Sequence, residues 1–251
     1  MTEVRAVNRA FEILEVLCSE KEPQSLASLH KTLGLSKTTL ARILNTLEKG
    51  GYVERDDSLQ KYALGMKFLH YSYAVSERLT VKQVAAPIIK RIRDNCMETV
   101  YIYILHGNKR ICVHCLQGKS SVRVMVYIGQ VSPLYAGASG KAILAYFPEE
   151  ELEQYFNEVE LKPLTPSTII NRDLLEHDLK LIRQRGYAIS IGEKDSGAIS
   201  VSAPIWDKDG KVTSAISIAA PLDRQQEIDK FIKLVKEGAA EISSYHMVVE
   251  F

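Results

Sequence analysis

The sequence predicts an α+β chain in three parts: a winged helix-turn-helix over residues 1–66, a linker helix over 67–80, and an antiparallel sheet flanked by helices over 81–251. Three observations carry this. Apolar residues fall at helical spacing before about residue 80, and β-rich runs broken by Gly and Pro follow. The early helices are short, separated by glycine, and followed by a hairpin signal.

Val4, Val7, Phe11, Leu14 and Leu17, widened by Ile13, form the first helical stripe. Pro23 closes that segment, and Ser25 stands as N-cap before Leu26, Leu29 and Leu33. Gly34 is the stop, where a positive φ is needed. Ser36 caps the next helix, whose apolar face is Leu40, Ile43, Leu44 and Leu47, and Gly50-Gly51 ends it. Residues 52–54 and 60–64 are expected as strands joined through Asp56-Asp57-Ser58. Residues 64–79 continue as a helix, and the next helix carries Pro87 and runs toward Asn95. Beyond it, strands are expected over 99–105, 110–116, 121–128, 186–191, 199–206 and 211–219. Helices are expected over 138–147, 149–156, 171–185 and 223–247.

Composition narrows the function classes. The chain has 251 residues, 46% hydrophobic and 25% charged, an ordinary globular balance. With 32 Lys+Arg against 31 Asp+Glu, its net charge of +1 points at neither nucleic acid nor membrane. The apolar run over 100–105 is far short of the roughly 20 residues of a membrane span. No apolar signal core follows Met1, and four cysteines make no disulfide scaffold, so a cytoplasmic protein with reduced thiols and no membrane partner is expected.

The Ser36 helix has the size and face division of a major-groove reader. Its outward positions are Lys37, Thr38, Thr39, Arg42 and Asn45, and the hairpin adds Arg55, Gln60 and Lys61. Hydroxyls reach phosphates, while Arg and Asn make bidentate base contacts. Residues 1–66 hold nine basic and nine acidic side chains, so double-stranded DNA would be held by local placement and by more than one copy. A dimer sets two such helices about 34 Å apart, one turn of DNA. A winged helix that docks on a protein partner is the alternative.

The whole chain resembles the IclR family of bacterial and archaeal transcriptional regulators. The resemblance lies in Ala6–Leu14 (AVNRAFEIL), Leu33–Leu47 (LGLSKTTLARILNTL), Leu134–Ala145 (LYAGASGKAILA), Arg185–Ala188 (RGYA), Val201–Ile205 (VSAPI) and Ser214–Ile218 (SAISI). It implies a C-terminal effector-binding domain of GAF-like or profilin-like fold over 81–251. It also implies a homodimer, or a dimer of dimers, that binds operator DNA and is expected to repress a catabolic operon. The implied effector is a small organic or sugar-derived acid.

The resemblance places that effector at Ala138, Ser139 and Gly140, facing a wall of Ser190, Ala198, Ser200, Ser217 and Ala219, with Ser121, Val124 and Ser132 beside it. Small residues at the start of the 138–147 helix let backbone N–H groups face an anion; tight helix–sheet packing needs them equally. The chain departs from the family at Ser190, often acidic, at Ser200, often cysteine, and at Ala219, where a second serine can follow Ser217. Hydroxyls without an obligatory charge suggest a hydroxylated carboxylate.

Catalysis and cofactors are not expected. Gly140-Lys141 lacks the Walker pattern at Tyr135 and Ala142, and Ser139 and Lys141 lack S-x-x-K spacing. Cys112-Val113-His114-Cys115 has ligand-like spacing, but strand alternation sets Cys112 and His114 on one face and Cys115 on the other. A site from Cys112 and His114 with Cys96 or His106 stays open, beside plain core cysteines.

Overall fold

The computed structural model describes residues 3–20, 22–77 and 80–245. The chain divides into two compact units, residues 1–78 and 79–251.

In the first unit, α1 (Arg5–Ser19), α2 (Leu26–Leu33) and α3 (Lys37–Lys49) pack around Ile13, Leu17, Leu29, Leu40, Leu44 and Leu47. The Ser25 hydroxyl accepts from the Ser28 N–H at 3.1 Å, and Gly34 closes α2 in the left-handed region at φ 67°. Strands β2 (Val53–Asp56) and β3 (Lys61–Leu64) form the hairpin. Gln24–Ser25, expected only as loop and cap, adds strand β1 against β3 and completes a three-stranded sheet. The α1 stripe differs from expectation in one respect. Val4, Val7 and Phe11 are exposed and Ala10, Ile13 and Leu17 carry the packing.

Helix α4 (Lys67–Glu77) belongs to the same unit. Tyr71 stacks on Tyr52 with their hydroxyls 2.9 Å apart, and Lys67 Nζ lies 4.4 Å from the Tyr52 ring centroid and donates to the Gly50 carbonyl at 2.9 Å. Residues 78 and 79, expected to continue this helix, lie outside the described residues.

The second unit is built on β4 (Thr99–His106), β5 (Lys109–Leu116), β6 (Val131–Pro133), β7 (Ala188–Ile191), β8 (Ala198–Trp206) and β9 (Val212–Pro221). They make one antiparallel sheet in the order β6-β5-β4-β9-β8-β7. Period-two alternation gives its faces opposite characters. Val100, Ile102, Ile104, Ile199, Val201, Ile216 and Ile218 pack against α5 (Thr80–Cys96) and α9 (Ile228–Ser243), the latter entered through a 3₁₀ turn at Leu222–Glu227. Gly238 lets these two helices approach, since a Cβ there would sit 2.6 Å from Ile92 Cδ1. Part of the other face is covered by α6 (Ala138–Leu144), α7 (Glu149–Glu158) and α8 (Arg172–Arg185). Helix α9 ends at Ser243, short of the predicted residue 247, and residues 246–251 lie outside the described residues.

Two expectations are corrected. Residues 121–128 form no strand, because side chains take the carbonyls a neighbouring strand would need: Thr99 Oγ1 donates to Val124 O at 2.7 Å and Gln117 Nε2 to Val126 O. The edge strand comes later, at β6. In addition, α6 stops at Leu144, short of the predicted Phe147.

Leu44→Ala should remove about 2–5 kcal/mol from the first unit, because Leu44 is fully buried there. Urea denaturation followed by circular dichroism measures it.

Candidate functional site

On α3, Ser36 is spent on structure. Its hydroxyl accepts from the Thr39 N–H at 3.2 Å and lies 2.9 Å from Thr39 Oγ1, so both predicted contact residues form the cap. Lys37, Thr38, Arg42 and Asn45 are exposed along the same helix. In the hairpin, Arg55 is engaged: it donates to Gln60 Oε1, pairs with Asp57 at 3.5 Å and lies over the Tyr62 ring. Hydrogen bonds from Ser58 hold the Asp56 carboxyl below its ordinary range and shape the tip, leaving Lys61 half-buried beside it. Arg5 and Arg9 of α1 share a groove with Thr39 and Arg42. They were not singled out from the sequence, where nothing marks the side of α1 that meets α3.

The second unit holds a cavity of about 40 Å³ between the sheet, the start of α6, residues 124–126 and the loop after β7. Ala138, Ser139, Ser190, Ala198, Ser200, Ala219 and Val124 all line it. Register explains the wall: Ser190 lies opposite Ser200, and Ser200 opposite Ala219, in one row across three strands.

Four predicted positions stand apart from the lining. Ser217 is fully buried and hydrogen-bonds Ser202, its cross-strand partner. Gly140 faces inward: a Cβ there would collide with Arg110 Nη1 and the Leu134 carbonyl. Ser121 is exposed, and Ser132 is buried in β6. Of the backbone donors expected to face an anion, the Ala138 N–H is engaged, donating to Ser200 Oγ at 3.4 Å, and the preceding Gly137 N–H donates to Glu193 Oε2 at 3.3 Å.

The lining carries charge that sequence reasoning missed. Arg110 on β5 is 2% exposed. Its guanidinium donates from Nη1 to Pro133 O and from Nη2 to Ala136 O at 2.8 Å, and it lies 5.0 Å from the Tyr103 ring centroid. Its Nε has no hydrogen-bond partner, and burial pushes its pKa down. An arginine nonetheless stays charged in a protein. Lys194 and Asp195 flank the opening; burial first, and the Arg110 charge second, push Lys194 down to about 8. Tyr101 and Tyr103 form the remaining floor, with Tyr103 raised to about 12 by burial. A lone arginine in a strand gives no sequence signal of this kind. Only its inward alternation with Cys112 would have hinted at it.

The loop bearing Lys194 is anchored by a buried ion cluster. Lys141 Nζ contacts Glu193 Oε1 at 2.5 Å, Asp178 Oδ2 at 2.7 Å and the Ile189 carbonyl at 3.2 Å. Thr165 and Thr168 hold the Gly192 and Glu193 carbonyls, each at 2.6 Å.

The Cys112–Cys115 segment is corrected by a bulge between its pairing with Ile102 and with Tyr103. Tyr103 pairs with Cys112, but Ile102 pairs with His114, so one residue is inserted and the alternation flips. Cys112 and Cys115 share the Tyr101–Tyr103 side, while Val113 packs toward α5 and α9. Among the described residues no group of three His, Cys, Asp or Glu is placed to hold a metal, and all four cysteines are unpaired.

Residues 73–244 match the family described as bacterial transcriptional regulator IclR C-terminal, and residues 6–57 match the IclR helix-turn-helix domain. The HTH-type transcriptional regulator KipR of Bacillus subtilis is 32% identical over 225 residues, covering 89% of this chain and 90% of the relative. The HTH-type transcriptional repressor AllR of Escherichia coli is 31% identical over 243 residues, covering 96% and 89%. The crystal structure of the Thermotoga maritima IclR superposes with a TM-score of 0.75 at 31% identity, covering 97% of this chain and 99% of that one.

Lys141→Met should cost about 3–5 kcal/mol of stability in the second unit, because it leaves two carboxylates without their buried cation. Lys141 is 1% exposed, with Glu193 the more buried of its two partners. Thermal unfolding of the variant beside Lys208→Met, a substitution in the exposed turn between β8 and β9, separates this cost from a general loss of charge.

Proposed function

The chain belongs to the IclR family of transcriptional regulators, and on that premise we propose that it represses its target genes by binding operator DNA through α3, under control of a small organic acid. The observation that carries the DNA half is the α3 face. Lys37, Thr38, Arg42 and Asn45 project from one helix whose Leu40, Leu44 and Leu47 are buried. Arg42 and Asn45 are the base readers, Lys37 and Thr38 meet phosphates, and Lys61 of the wing adds a backbone contact, with Arg55 ordering the wing. Ser36 and Thr39 contribute by capping the helix.

Residues 1–66 then form the DNA-binding domain, 67–80 the linker and 81–251 the effector domain. A homodimer fits this arrangement. Helix α4 leaves Leu69, Tyr73 and Val75 exposed, and α1 leaves Val4, Val7 and Phe11 so, which is more apolar surface than a lone winged helix needs. Two copies supply the paired recognition helices that a net-neutral domain requires. A regulator of this kind works in the cytoplasm, where its operator is; among the described residues no helix is long and apolar enough to cross a membrane.

The effector would occupy the cavity lined by Ala138, Ser139, Ser190, Ala198, Ser200, Ala219 and Val124. Its binding changes the spacing or mobility of the paired α3 helices through the linker. Such coupling is reciprocal, so operator DNA shifts effector affinity by the same factor.

Fluorescence anisotropy on DNA from upstream of the protein's own gene, across salt and against scrambled competitor, is the test. Specific binding that falls steeply with salt is expected. Arg42→Ala should cost about 1–3 kcal/mol and relax base preference, and Lys61→Ala should lower the salt slope by about one. Absence of binding at low salt would favour a protein partner for the winged helix.

A further inference from the structure

Resting on the reading of the chain as a paired operator binder, we propose that Lys67, Tyr71 and Tyr52 brace α4 against the C-terminal end of α3 and so set the half-site spacing that two copies accept. They are positioning residues, acting through the direction they give α3.

Helix α4 stands on the first unit by its base alone. From Lys67 to Val75 only Phe68 is half-buried, and the other side chains are exposed. The chain path from α3 to α4 runs through Gly50-Gly51, the β2–β3 hairpin and Gly65. A joint of glycines swings unless something holds it.

Three kinds of contact hold this one. Lys67 Nζ donates at 2.9 Å to the carbonyl of Gly50, the C-cap of α3, where a cation also meets the negative end of the helix dipole. The same ammonium lies 4.4 Å from the Tyr52 ring centroid and 5.9 Å from that of Tyr71. Those two rings stack with their hydroxyls 2.9 Å apart, and Phe68 meets both edge-on. Tyr52 belongs to the α3 side of the joint, since its N–H donates to the Leu47 carbonyl at 2.9 Å. Its own carbonyl accepts from the Gly65 N–H at 2.8 Å, and a Cβ at Gly65 would collide with the Gly51 carbonyl oxygen. Each exposed contact is weak by itself. Cap, ring face and ring edge together fix the angle of α4 in more than one direction.

Geometry shows why that angle matters. At 100° per residue, Leu69 and Tyr73 fall on the side of α4 opposite Lys67 and Tyr71, and both are exposed. One face of the helix is thus spent on α3, and the other is the apolar surface on which a second copy seats in this reading. The 11 residues of α4 span about 16 Å. A swing of about 12° at the base would carry the far end about 3.4 Å, the rise of one base pair. A free joint would accept neighbouring spacings alike, whereas a braced one admits a single spacing.

Selection of sites from a random DNA library by the full-length chain, followed by anisotropy on the recovered sites, tests the brace. The wild type should return paired half-sites at one spacing and bind them about 10-fold more tightly than the same pair with one base pair inserted. Lys67→Met and, separately, Tyr71→Phe should return the same half-site sequence at several spacings and reduce that ratio to about 2-fold. Lys67→Arg, which keeps a cation on the cap, should restore the single spacing. If Lys67→Met fails to fold by circular dichroism, Tyr71→Phe decides. A single spacing retained in the folded variants, a changed half-site sequence, or a wild type that itself accepts several spacings would each overturn the brace while leaving the paired DNA binder in place. A wild type that returns unpaired half-sites, or no enriched sequence, would overturn both.

Discussion

The clasp of Arg110 on two backbone carbonyls organises the second unit around a buried positive charge. Pro133 ends the edge strand and Ala136 lies in the turn before α6, so the guanidinium ties strand, turn and helix together through one side chain. Its bulk then dictates the glycines: nothing with a side chain fits at Gly140, and Gly137 adopts φ 88° against the same group. A motif of small residues that suggests backbone-to-anion contact is the mould of an arginine.

The opposite end of the cavity depends on a second buried cation. Lys141 sits one turn along α6 and draws Glu193 and Asp178 to it, while Glu193 reaches back to the Gly137 amide. This ion cluster therefore holds the loop of Lys194 and Asp195 over the cavity. Buried ion pairs add little net stability but are costly to break, so they serve to define one arrangement. The loop that closes the site is held by geometry that a neutral, apolar packing would leave less specific.

In the first unit, capping and outward projection are divided among neighbours on one helix. Ser36 and Thr39 use their hydroxyls on each other and on the helix end, which frees Lys37, Thr38, Arg42 and Asn45 to project outward. The wing repeats the division: Arg55 is tied to Asp57 and Gln60, while Lys61 stays half-buried beside it. Val4, Val7 and Phe11 of α1 and Leu69, Tyr73 and Val75 of α4 stay exposed in the same unit.

Local pattern alone determined the helices of the winged helix-turn-helix, their caps at Ser25 and Ser36, the stop at Gly34 and the alternating strands of the sheet. These follow from residue spacing and backbone preference within a few positions. Seven of the positions implied by the family resemblance line one cavity, because they repeat along strands and one short helix in fixed order. Tertiary structure decided the rest. Whether residues 121–128 pair as a strand turned on Thr99 and Gln117 capturing their carbonyls. Which way Cys112, His114 and Cys115 face turned on a bulge, an insertion that local alternation cannot see. The roles of Arg110 and Lys141 turned on partners 23 to 52 residues away. A buried charge is defined by what surrounds it, and those surroundings exist only once the sheet has closed.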